Sequence, residues 1–182
     1  NQDIFFQCRE GLNEHYNALP DVVEHYMNEI NKLTGRNYGL FDYYGDPEAT
    51  EVVIAMCSVT DTIKETVDYL NERGRKVGMI AVHLYRPFSA KHFLGNLPAS
   101  CKRVAVLDRT KEPGANGEPL YLDVKNVLTD AGRDVVVVGG RYGLASKDTT
   151  PGQIVAVYDN LLADAPKNNF TIGIEDDVTF TS

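Results

Sequence analysis

The sequence predicts a three-layer α/β/α domain with an open, mostly parallel sheet, preceded by N-terminal helices. Three observations lead there. From residue 51 onward, short and nearly continuous apolar runs recur, and such runs mark strands covered on both faces. Segments with helical spacing separate them, and strand-helix alternation with right-handed crossovers builds a parallel sheet. The 182 residues and 20.2 kDa, 43% hydrophobic and 24% charged, suit one ordinary globular domain and exclude a large multidomain enzyme within this chain.

Residues 2–33 read as helical in two pieces, with Pro20 and Asp21 opening the second as a proline and an acid do in a first turn. Val22, Tyr26, Ile30 and Leu33 recur at helical spacing, and Gly35 stops the run. Residues 37–47 set Tyr38, Tyr43 and Tyr44 among Gly39, Asp42, Gly45 and Asp46, which predicts a loop or arm packed by its aromatics. Strands are expected at 52–57, 77–83, 104–107 and 135–138, each short and β-branched or apolar. The helices between and after them fall at 62–73, 89–94, 119–131 and 153–162. The chain thus divides into a helical segment and aromatic arm at 1–50, the α/β body at 51–165, and a linker with a further extended element at 166–182. Phe170, Ile172 and Ile174 in that tail predict a strand whose partners lie elsewhere, in a chain that continues past Ser182. There is no internal repeat and no low-complexity tract.

The net charge of -8, from 18 basic against 26 acidic residues with no basic cluster, opposes a nucleic-acid partner. No run approaches the roughly 18 apolar residues of a membrane span, and no basic-then-apolar leader opens the chain. Cys8, Cys57 and Cys101 are odd in number and never paired as C-x-x-C, so neither a disulfide framework nor a zinc or iron-sulfur site is signalled. A reducing cytoplasm is the expected compartment.

Ligands of open α/β sheets bind outside the carboxyl ends of the strands, so the residues just after each strand are the candidates. Ser58, Thr60 and Asp61 after the first strand suit either an anion received on backbone N–H groups or a plain helix N-cap. Arg86, held extended by Pro87, suits either a carboxylate or phosphate, or a loop pinned to a neighbouring acid. His83 is expected to pack at a strand end, because no ligand partner has metal spacing. After the third strand, Asp108, Arg109, Lys111, Glu112 and Gly114 form a loop of alternating charge that presents Arg109 or Lys111 to an anion or interface, unless it is simply solvated. Gly139, Gly140, Arg141 and Gly143 allow close approach of a ligand or merely a tight turn. Neither G-x-G-x-x-G, nor the phosphate-loop spacing, nor G-x-S-x-G occurs, which removes the main support for dinucleotide, NTP and serine-hydrolase chemistry.

Several longer motifs occur together: Phe5-Phe6-Gln7-Cys8-Arg9-Glu10, Ala18-Leu19-Pro20, Lys32-Leu33-Thr34-Gly35-Arg36 and Tyr85-Arg86-Pro87-Phe88. They continue with Val106-Leu107-Asp108-Arg109-Thr110-Lys111-Glu112-Pro113-Gly114, Gly139-Gly140-Arg141-Tyr142-Gly143-Leu144 and Gly173-Ile174-Glu175-Asp176-Asp177-Val178-Thr179. In this order they resemble pyruvate:ferredoxin (flavodoxin) oxidoreductase along the whole chain. The resemblance implies a domain like the C-terminal domain of transketolase, after a pyrimidine-binding thiamine diphosphate domain and before a γ-type domain whose first strand the tail would begin. It implies a parent enzyme, a homodimer, that converts pyruvate and coenzyme A to acetyl-CoA and CO2 and passes electrons to ferredoxin or flavodoxin. Thiamine diphosphate, Mg and 4Fe-4S clusters are the implied cofactors of that parent, with coenzyme A as co-substrate.

None of these cofactors is expected in this fragment. Gly45-Asp46 is followed by Pro47 rather than by the glycine of a thiamine diphosphate motif, and the cysteines are unclustered. Arg86, Asp108, Arg109, Lys111, Glu112, Gly114, Arg141 and Gly143 are carried over as anion or interface candidates, with no catalytic role and no metal. The fragment is expected to be inactive alone and to serve structure, interdomain contact and coenzyme A access. A free-standing α/β interaction subunit of a split 2-oxoacid oxidoreductase is the alternative, and a flavodoxin-like carrier rests on fold analogy alone.

Overall fold

The computed structural model describes residues 1–176 and 178–182, so Asp177 of the terminal motif lies outside the described residues. Strands β2 (Glu51–Met56), β3 (Val77–Val82), β4 (Arg103–Asp108) and β5 (Val136–Arg141) make the parallel centre of one sheet. Their β-branched and apolar residues suit extended backbone, and most are buried. β1 (Phe41–Gly45) adds an antiparallel edge beside β3, and β6 (Phe170–Thr171) a short parallel edge beside β5, giving the order β1-β3-β2-β4-β5-β6.

Helices α2 (Val59–Asn71) and α5 (Pro151–Leu162) cover one face of the sheet, where Ile63, Val67, Ile154 and Tyr158 meet Val53, Met79 and Ala105. Helices α3 (Ala90–Asn96) and α4 (Pro119–Asp130) cover the other, where Phe93, Leu120 and Val124 meet Ile54, Ile80 and Val104. Each such side chain contributes about 1.5–3 kcal/mol by leaving water, so the two layers hold the sheet rigid beneath its loops. α5 starts on a capping box, with Thr150 accepting from the Gln153 amide and Gln153 returning the bond.

Four expectations need correction. Residues 2–33 do not break at Pro20, because α1 (Gln2–Thr34) runs through it and ends at Gly35, whose φ is 69°. A proline removes at most one backbone hydrogen bond, and here the Pro20 ring is buried while Val23 and Met27 pack on the body. Nor is 37–47 wholly loop: Phe41 and Tyr43 alternate with polar neighbours in β1, and Tyr43 lies over Gly78, where a Cβ would stand 2.1 Å from its hydroxyl.

The glycines expected to come after the fourth parallel strand belong to β5 itself, since the Tyr121 and Phe170 rings occupy the space that Cβ atoms on Gly139 and Gly140 would fill. Phe170–Thr171 find their partner in this same sheet rather than elsewhere. Among the described residues no helix is long and apolar enough to cross a membrane.

Candidate functional site

The sheet order fixes where a ligand would sit. The chain leaves β2 toward β3 on one side and leaves β4 toward β5 on the other, so a crevice opens between the carboxyl ends of β2 and β4. A cleft of about 500 Å³ lies there, lined by Ser58, Thr62, Arg109, Tyr142, Lys147 and Thr149 among others. Arg109 extends from the end of β4, and its Nε donates to the Gly143 carbonyl at 2.9 Å. Gly143 has φ 64°, and a Cβ on it would come within 3.3 Å of Arg109 Nε, so the bare backbone seats the guanidinium. Among the described residues the Arg109 Nη groups have no hydrogen-bond or ion-pair partner and remain available for an anion.

The first turn of α2 faces the same cleft. Ser58 makes no side-chain cap, and the Thr60 hydroxyl donates to the Cys57 carbonyl at 2.7 Å, so neither hydroxyl fills the role of an N-cap acceptor. Tyr142 forms one wall; its hydroxyl donates to Met56 O at 3.3 Å, and burial pushes its pKa up to about 12, which keeps it neutral. The cleft therefore combines an arginine, a lysine and a helix start in a form suited to phosphate or carboxylate.

Behind the cleft, Asp108 and Arg141 turn inward. Asp108 and Arg141 face each other in the β4–β5 register and are both buried. Asp108 accepts from the Leu120 and Tyr121 amides at 2.9 and 3.0 Å, which starts α4 in place of a local cap. Burial raises its pKa, and those two amides oppose the rise. Arg141 donates to Glu118 at 3.3 Å, to Thr171 at 3.1 Å, and to both the side chain and the carbonyl of Asn169. Glu118 also accepts from the Glu112 amide at 2.7 Å and stands 3.7 Å from Lys111 Nζ. These bonds fold the 109–117 loop over the sheet and tie down β6.

Gly114 lies at the tip of that loop with φ 80° and open space around it. Arg86 stands apart, paired with Asp123 of α4, bonded to the Tyr85 hydroxyl at 2.9 Å and stacked 4.0 Å over the Tyr85 ring. The Arg86–Pro87 peptide bond is cis. His83 lies at its strand end with Nε2 3.0 Å from Asp42 of β1. The structure thus gathers Arg109, Gly143 and Lys147 around one cleft, collects Asp108, Lys111, Glu112 and Arg141 around Glu118, and leaves Arg86 and Gly114 outside both.

Residues 49–154 match the family described as pyruvate:ferredoxin oxidoreductase core domain II. The chain belongs to this family. Along all 182 residues it is 58% identical to the pyruvate-flavodoxin oxidoreductase of Enterobacter agglomerans and 58% identical to the pyruvate:ferredoxin oxidoreductase of Moorella thermoacetica. The chain spans 16% of the length of each of these relatives. A solved 2-oxoglutarate:ferredoxin oxidoreductase from Magnetococcus marinus, with 2-oxoglutarate, coenzyme A and succinyl-CoA bound, aligns with 73% of this chain and 21% of its own at 15% identity and TM-score 0.48. Among the described residues Cys8 and Cys57 are exposed, Cys101 is buried, and the grouping of ligand-type side chains contains no cysteine.

Sequence reasoning missed Glu118 and the roles of Tyr142 and Lys147. Glu118 precedes Pro119 at the start of α4, which marks a helix start but not the arginine it meets 23 residues later. The glycine and two left-handed residues around Leu144, with φ 51° at Ala145 and 60° at Ser146, swing Lys147 back to the cleft.

Proposed function

We propose that the chain acts as an internal domain of a cytoplasmic pyruvate:ferredoxin or pyruvate:flavodoxin oxidoreductase, where it packs against other domains and lines part of the path for coenzyme A. The parent reaction is the oxidative decarboxylation of pyruvate with coenzyme A to acetyl-CoA and CO2, with electrons leaving to ferredoxin or flavodoxin. Thiamine diphosphate, Mg and 4Fe-4S clusters reside in other domains of a homodimer. The fragment itself carries no turnover.

The observation that carries the interdomain role is α1. Its 33 residues touch the body chiefly through Pro20, Val23 and Met27, while Phe5, Leu12, Tyr16, Tyr26, Ile30 and Leu33 remain exposed. An apolar surface of that extent is an interaction surface, and it suits the longer polypeptides among which the relatives fall. The cleft supports the second role, because Arg109 and Lys147 complement the phosphates of coenzyme A.

An antibody raised against this chain tests the reading on the native gene product under denaturing conditions. A band several times larger than 20.2 kDa is expected. A band near 20.2 kDa would reject the internal domain and make the chain a separate subunit of a split 2-oxoacid oxidoreductase.

A further inference from the structure

Away from the carboxyl-end cleft, α1 and α3 bring together one grouping of ligand-type side chains. Asp21 and Glu24 stand three residues apart and share a face of α1. His92 of α3 points between them, with Nε2 3.5 Å from Glu24 Oε2 and 3.9 Å from Asp21 Oδ1. All three donor atoms lie within 4.8 Å of one another. The imidazole is only 11% exposed, and its other nitrogen, Nδ1, is 2.6 Å from the Ser89 hydroxyl. Lys91 is the nearest further charge, 3.5 Å from Asp21.

When Nδ1–H donates to Ser89, the Nε2 lone pair faces two carboxylates, which is unfavourable unless a cation stands between them. Four ligands at about 2.0–2.1 Å from a tetrahedral metal are separated from each other by about 3.3 Å. The observed separations of 3.5 and 3.9 Å therefore close on an ion with small movements of two half-free carboxylates. One imidazole among carboxylates favours zinc and its first-row neighbours over calcium or magnesium, which prefer oxygen alone. In that tautomer the Ser89 oxygen accepts from Nδ1–H and orients the ring as the carbonyl, carboxylate or water partners of metal-bound histidines do.

We propose that Asp21, Glu24 and His92 form a three-ligand site for a first-row divalent cation of the zinc class, with the fourth position open to water. The ion straps α1 to α3 and so fixes the direction in which the long helix leaves the body. Binding frees Lys91 from Asp21. The site is independent of the coenzyme A cleft and of the parent reaction.

The test uses the 182-residue chain with Cys8→Ser and Cys57→Ser, so that exposed thiols do not compete. Zn2+ is titrated by calorimetry and Co2+ by its visible absorption. One ion per chain is expected, with the bands of a low-coordinate, nitrogen-ligated Co2+. Glu24→Gln and His92→Gln should each abolish these bands, and Ser89→Ala should weaken Zn2+ by about tenfold or more. Lys91→Met removes the competing ammonium and should tighten Zn2+ binding. Absence of stoichiometric binding, or Co2+ bands unchanged in Glu24→Gln, would overturn the proposal. So would a Lys91→Met variant that binds Zn2+ no tighter than its parent, because Asp21, which Lys91 holds at 3.5 Å, would then not be a ligand. Glu24 and Lys91 are solvent-accessible, so these two variants report even if a change at His92 disturbs folding.

Discussion

Arg109 and Arg141 lie at the ends of neighbouring parallel strands, yet they meet opposite fates. Arg141 is buried, and Glu118, Asn169 and Thr171 engage its guanidinium. Arg109 is exposed and spends one nitrogen on a backbone carbonyl, leaving its fork to the cleft. The difference comes from where each ladder stops. Arg141 is still a strand residue, paired with Asp108 and Thr171, whereas Arg109 stands one position beyond the last residue of β4. A strand-end arginine in such a sheet is therefore structural when the ladder still holds it and available when the ladder has ended.

The largest effect is expected from Arg141→Ala. It leaves Glu118 buried without the nearer of its two cationic partners, and urea denaturation of the chain should show a loss of about 3–5 kcal/mol. A loss below about 1 kcal/mol would show that the network is dispensable and would erase the contrast with Arg109. Next comes Gly140→Ala, whose Cβ would fall 2.3 Å from the Phe170 ring. Overpacking of this kind costs about 1–3 kcal/mol, and limited proteolysis should then cut near β6, which the ring anchors. An unchanged cleavage pattern would mean that β6 does not depend on that contact.

Asp108 gives a smaller and pH-dependent effect. Its folded pKa lies above the ordinary 3.8 because of burial, so the native state holds this proton more tightly than the unfolded chain does. The associated stability is complete below 3.8 and is lost as pH rises through the folded value. Urea midpoints of the chain measured from about pH 3 to about pH 6 should show this decline relative to Asp108→Asn, which lacks the titrating group. Parallel curves for the two proteins would contradict the assignment.

Much of this was legible in the sequence because it depends on local chemistry. Val52, Val53 and Ile54 announce a buried strand by themselves, and the helix expected at 153–162 falls within α5, which starts two residues earlier at Pro151. What escaped depends on long-range partners. β1 is a strand because β3 pairs with it, and the Gly139-Gly140 step is extended because Tyr121 and Phe170 fill its missing side chains. The candidate residues were found through their place after strands, but their sorting was not. Whether Arg141 or Arg109 faces the cleft is decided by register with β4 and by the return of Asn169, facts that no local pattern carries. The Asp21, Glu24 and His92 grouping was invisible for the same reason, since it forms only where α3 meets α1.

If Arg109 serves the assembled enzyme and not the fold, one substitution read in two settings will show it. Arg109→Ala is placed in the intact parent oxidoreductase, where pyruvate-dependent viologen reduction is followed against coenzyme A concentration, and the urea midpoint of the same substitution is recorded in this chain. A raised KM for coenzyme A with kcat nearly unchanged is expected, together with a stability change within about 0.5 kcal/mol. An unaltered KM, or a loss of stability approaching that of Arg141→Ala, would contradict the role assigned to Arg109.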